Sequence, residues 1–199
     1  NCCYDFFELT CLNMAQQGLF GEVIHAQGAY IHNLEPFWAH YQGNWRLEFN
    51  QDHAGDVYET HGLGPVCQVL DIHRGDKMEY LVSMSTPSYN GKKIAKEMMG
   101  TEEFANGDMT STLIKTNKGK TILIQHNVYT PRPYDRLYQL TGTEGFANKY
   151  PIEGFTLRNK NVSSNIIRDH EKLDEHGFVS NEVRDSLMIA YKHPIAKDI

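Results

Sequence analysis

From residue 78 onward the apolar side chains recur at every second position, and this change of period most constrains what the chain can fold into. Met78, Tyr80, Val82 and Met84 alternate. Residues 110–115 and 120–128 flank the turn Thr116-Asn117-Lys118-Gly119, the composition of a hairpin. Residues 136–141 add another strand, closed by a turn at Gly142 and Gly145. A period of two places alternate side chains on opposite faces of a sheet.

Upstream the spacing is largely helical. In residues 2–17 the apolar positions Cys3, Phe6, Phe7, Leu9, Cys11, Leu12 and Met14 predict a helix, with Gly18 and Gly21 as stops. Residues 22–33 read as a strand, and residues 34–55 as a long irregular loop rich in aromatic side chains. Leu63, Val66, Cys67 and Leu70 follow the i, i+3, i+4, i+7 rule, so a second helix is expected, ending near Gly75. Pro65 fits in its first turn, where a missing N–H does no harm. Val183, Leu187, Ala190 and Tyr191 mark a last helix. Helices first and consecutive strands later predict an α+β fold: a largely antiparallel open sheet with helices on one face. The other face is expected to be unusually apolar, or buried in a homodimer.

Composition narrows the function classes. The 199 residues are 40% hydrophobic, enough for one core, and no apolar run is long enough to span a bilayer. A net charge of -6 without a basic stripe argues against nucleic-acid binding. The cysteines Cys2, Cys3, Cys11 and Cys67 include no C-x-x-C pair and read as small hydrophobes. The histidines show no H-E-x-x-H and no ligand spacing, so no metal site is expected. No G-x-G-x-x-G follows a strand, so the chain carries no dinucleotide fingerprint.

The densest chemistry lies in residues 55–65, where glycines and a proline surround Tyr58 and His61 at a helix start. Glycines let backbone approach a ligand, and a histidine titrates near neutrality, so His61 is a candidate acid–base group. The same residues also read as a plain helix start, with Asp56 and Glu59 as a capping pair and His61 packed. In Tyr129-Thr130-Pro131-Arg132-Pro133-Tyr134-Asp135-Arg136, the prolines stiffen a strand end and fix the direction of Tyr134. On its own this is a rigid turn; it also offers a phenol and a guanidinium to a sugar. Trp45 and Arg46 suit stacking on a sugar face and bonding its hydroxyls, or anchoring the loop.

Taken in order, several stretches resemble glycoside hydrolase family 109, of the Gfo/Idh/MocA superfamily. They are residues 1–9, Gly28-Ala29-Tyr30-Ile31-His32-Asn33, Tyr58-x-Thr60-His61-Gly62-Leu63-Gly64-Pro65, residues 72–76, residues 80–85 and Pro131-Arg132-Pro133-Tyr134. The resemblance implies a substrate-binding and oligomerisation domain over residues 1–199, preceded in the parent by an NAD-binding Rossmann domain absent from this chain. It implies an NAD-dependent α-N-acetylgalactosaminidase that transiently oxidises the sugar at C3, with an extracytoplasmic location as a family-level expectation. His61, Tyr58 and Tyr134 would be catalytic, Tyr30, Trp45, Arg46 and Thr60 substrate-binding, and Asn1 cofactor-binding. Two departures bear on the sugar: Glu59 replaces a common proline, and the stretch between Asn33 and Tyr58 is shorter or reworked. The rivals are a sugar oxidoreductase of the same superfamily and, for the isolated chain, a non-catalytic dimerisation module.

Overall fold

The computed structural model describes residues 2–41, 45–158 and 173–197. A 3-10 turn, Cys2–Tyr4, leads into helix α1 (Phe6–Gln16), so the first helix starts later than its apolar pattern suggests. Its end follows the expected glycine logic. Gly18 is left-handed at φ 77°, its N–H bonds Ala15 O, and Leu19 N–H bonds Met14 O, which is a Schellman motif.

Strand β1 (Val23–Ile31) follows. The expected loop over residues 34–55 is instead mostly helical: a 3-10 turn Glu35–Phe37, then α2 (Trp38–Tyr41) and α3 (Trp45–Asp52). Each helix has too few turns to display a period; burial of Trp38 and Leu47 anchors them. Helix α4 (Leu63–Val69) stops short of Gly75, because Asp71 and His73 adopt positive φ and close a turn onto Asp76. After β2 (Met78–Ser85) comes α5 (Asn90–Met99), unseen in the sequence pattern. Its N-terminal cap is remote: the Asp108 carboxylate accepts from the N–H groups of Tyr89, Asn90 and Gly91. The hairpin is β3 (Thr110–Thr116) and β4 (Thr121–Asn127), and β5 (Tyr138–Gly142) turns tightly into β6 (Gly145–Asn148). Strand β7 (Gly154–Leu157) and α6 (Asn181–Ala190) complete the described elements.

The seven strands form one sheet in the order β2-β3-β4-β1-β5-β6-β7. Only β1 and β4 run parallel; every other neighbouring pair is antiparallel. The main core lies between α1, α4, α6 and one sheet face, with Ala26, Ile114, Ile122, Ile124, Leu140 and Phe155 pointing into it. The opposite face is open and divided. On β2 and β3, Tyr80, Val82, Met84 and Leu113 are exposed, whereas His25–Thr121, Gln27–Gln139 and Gln139–Asn148 hydrogen bonds cross the rest. The expected apolar face is therefore confined to one end of the sheet. Among the described residues, no helix is long and apolar enough to cross a membrane.

Candidate active site

Strand β1 and the turn before α4 approach more closely than two side-chain-bearing backbones can. A Cβ on Gly62 would lie 2.7 Å from Ala29 N and from the Gly28 carbonyl carbon, and one on Gly28 would meet the Gly62 backbone. Gly62, read from sequence as an opening for a ligand, is thus required for backbone-to-backbone contact.

That contact lays the 3-10 turn Glu59–His61 over the end of β1. The His61 and Tyr30 ring centroids are 4.6 Å apart, and Tyr58 stacks on Tyr30 at 4.7 Å and 19°. Asp56 shapes the turn by accepting a 2.9 Å bond from Tyr58 N–H, while burial pushes its carboxyl up to about 6. The capping pair of Asp56 and Glu59 does not form: neither Tyr58 nor Gly62 makes a side-chain cap, and Glu59 is exposed.

Strand register brings in further residues. Tyr30 pairs with His126 of β4, and on its other side Ile31 bonds Asp135 while Ala29 bonds Leu137. Tyr30 therefore stands between His126 and Arg136 in one cross-strand row. The Arg136 guanidinium lies 4.0 Å from the Tyr30 ring centroid, and its Nε donates to Tyr134 Oη at 2.7 Å. Tyr134 meets His32 edge-on at 5.0 Å. His126 is fully buried, nearly parallel to Tyr58 at 5.7 Å and to Tyr30 at 6.2 Å.

The field of this cluster favours neutral imidazoles. Burial, and then the Arg136 charge, hold both His61 and His32 below the ordinary histidine range. Burial and the neighbouring His61 push His126 down to about 4. The His61 Nδ1 lies 3.1 Å from Tyr58 O, so its ring is tied to its own turn. A neutral, half-buried imidazole between phenols can accept a proton and return it.

Of the residues singled out from sequence, Tyr30, Tyr58, His61 and Tyr134 come together. Thr60 is exposed on the same turn. Trp45 and Arg46 stand at the exposed start of α3, the guanidinium 4.7 Å from the indole centroid, and the next residue, Leu47, is buried in the small core that holds Tyr30. Asn1 lies outside the described residues. Sequence reasoning missed His126, left His32 unassigned, and read Arg136 only as part of a stretch that offers a guanidinium. A histidine closing the alternation Ile122, Ile124, His126, and another two residues after Tyr30 in the same strand pattern, were the available hints. Elsewhere, Cys2, Asp5 and Glu8 offer ligand atoms within 4.8 Å of one another, but Lys149 Nζ donates to Asp5 at 3.0 Å and to Glu8 at 2.7 Å, already engaging both carboxylates.

The sequence profile described as Glycosyl hydrolase 109, C-terminal domain, matches residues 4–199. The chain belongs to glycosyl hydrolase family 109. The Glycosyl hydrolase family 109 protein 1 of Bacteroides fragilis strain YCH46 is 62% identical over 201 residues, covering 100% of this chain and 43% of that protein. The family 109 domain thus spans less than half the length of such relatives. Its fold is similar to levoglucosan dehydrogenase in complex with NADH and levoglucosan, with a TM-score of 0.56 and 12% identity over 80% of this chain and 43% of that one. It is also similar to an inositol dehydrogenase homologue complexed with NAD+ from Azotobacter vinelandii, with a TM-score of 0.53 and 14% identity over 79% of this chain and 37% of that one. These likenesses establish the Gfo/Idh/MocA-type fold.

Proposed function

We propose that this chain is the substrate domain of an NAD-dependent glycosidase acting on α-N-acetylgalactosaminides, with His61 as its acid–base residue. The observation that carries this reading is the packing of His61 and Tyr58 on Tyr30, with the His61 imidazole biased toward its neutral form. The chain does not itself fit NAD. It has no G-x-G-x-x-G turn between a strand and a helix, and the parallel strand pair β1 with β4 belongs to a mainly antiparallel sheet. The cofactor would be held by a preceding domain, with Asn1 contributing at the boundary. When bound, it supplies transient oxidation at the sugar C3, which acidifies the C2 proton.

The residues of this chain then have separable tasks. His61 removes the C2 proton as the aglycone leaves C1, and returns a proton to C2 as water adds at C1. Tyr58 and Tyr134 assist with their hydroxyls, and Tyr30 holds the ring stack against which the sugar sits. Trp45, Arg46 and Thr60 line the approach for the substrate. The exposed Tyr80, Val82, Met84 and Leu113 are the surface through which two copies associate.

Turnover of an aryl α-N-acetylgalactosaminide by the parent protein, followed together with absorbance of reduced cofactor, tests the reading. Phenol release without accumulation of reduced cofactor is expected. Stoichiometric reduced cofactor with an oxidised sugar would mark a net oxidoreductase instead.

A further inference from the structure

Arg136 has no charge partner: among the described residues, no carboxylate lies within ion-pair distance of its guanidinium. One of its nitrogens, Nη1, is buried without a hydrogen-bond partner. Leaving a guanidinium unneutralised against protein is unfavourable, and a purely structural position would be filled better by an apolar side chain. Yet Arg136 touches the two tyrosines that frame the site, through its face on Tyr30 at 4.0 Å and its Nε on Tyr134 Oη at 2.7 Å. Only a planar cation makes both contacts at once; a lysine ammonium cannot reproduce them.

We propose that Arg136 is a positioning residue that fixes Tyr30 and Tyr134 and gives the site an unneutralised positive field, suited to a ligand oxygen that carries or develops negative charge. Its catalytic consequence rests on the reading that His61 exchanges the proton. His61 is faced by Tyr58 and Glu59 from its own turn, Tyr30 from β1, His126 from β4, and Arg136. His32 is faced by Tyr30, Phe37 and Tyr134, with Arg136 close by. Of these side chains, only Arg136 carries a lasting positive charge; the amino terminus acts on His61 in the same direction but more weakly. Arg136 opposes protonation of both imidazoles, whereas Glu59 favours protonation of His61.

Histidine titrations by NMR on the 199-residue chain test this directly. In the wild type, raising KCl to about 1 M shortens the screening length to roughly 3 Å, so the midpoints of His61 and His32 should rise. Screening of Glu59 would move His61 the other way. R136M should raise both midpoints at low salt, abolish the salt response of His32 and reduce that of His61 to the small opposed effects of Glu59 and the amino terminus, whereas R136K should keep the depressed midpoints. In the parent protein, R136K should lower kcat on the order of 100-fold with KM little changed, the scale of a misplaced catalytic group. Midpoints indifferent to both salt and R136M, or a wild-type kcat in R136K, would overturn the proposal. Responsive midpoints in a parent with no glycosidase turnover would instead support the role of Arg136 and contradict the proposed function.

Discussion

Two hydrophobic clusters share the helical side of the sheet, and they are built on different terms. The larger, around Phe7, Leu140 and Phe155, is mostly aliphatic with close ring packing; Phe7 stacks on Phe155 at 5.1 Å and 11°. The smaller, around Tyr30, Trp38, Leu47 and Tyr129, is aromatic and opens onto Tyr58, His61 and Arg136. Buried polar atoms without a partner are more numerous around the smaller cluster, among them both His126 nitrogens, Tyr129 Oη and Arg136 Nη1, than around the larger, where Tyr138 Oη and Asp76 Oδ2 stand. Such atoms cost stability, so their concentration in one place marks where function outweighs packing. One cluster holds the fold; the other presents chemistry.

Substitutions can break or sharpen that division. Phe155→Ala should have the largest effect, about 3–5 kcal/mol of unfolding free energy by denaturant titration, as expected for emptying a sealed aromatic position. A loss below about 1 kcal/mol would mean that the larger cluster does not carry the fold. Gly28→Ala should cost roughly 1–3 kcal/mol, because its methyl meets the Gly62 backbone and must push the His61 turn off β1. Loss of the Tyr30–His61 ring NOE should accompany it; an intact NOE would show that the close approach is not what positions the site. Val82→Lys, on the open face, should change the unfolding free energy of the monomer by no more than about 0.5 kcal/mol. Light scattering should nevertheless report a smaller particle than wild type, and an unchanged assembly would remove the apolar end of the sheet as an association surface.

The sequence made the larger cluster legible and the smaller one only partly so. Period-two alternation in residues 110–128 identified strands because each buries one face against a continuous core, whereas in residues 78–84 the alternating apolar side chains lie on the open face. The Gly18 stop was readable because a Schellman turn is local. Helix α5 was not, since its cap comes from Asp108, beyond the helix and across a loop. Helices α2 and α3 were hidden for a related reason: single buried side chains, Trp38 and Leu47, hold them by tertiary contact. At the site, Tyr58, His61 and Tyr134 stood out as unusual residues between glycines or prolines. His126 reaches the same place only through strand register, which pairs β1 with a parallel neighbour 96 residues away in the His25–Thr121 contact, and Arg136 meets Tyr30 through the pairing on the other side of β1. No local pattern encodes that pairing.

The central claim is that His61 exchanges the proton, and turnover of the parent protein carrying His61→Ala tests it most directly. With an aryl α-N-acetylgalactosaminide and bound cofactor confirmed by absorbance, the rate should fall by roughly 100-fold or more, the scale for removing a positioned acid–base group. Tyr58→Phe, which keeps the ring stacked on Tyr30, should cost less. Turnover by His61→Ala at close to the wild-type rate would contradict the account and leave His61 as a packing residue beside Tyr30.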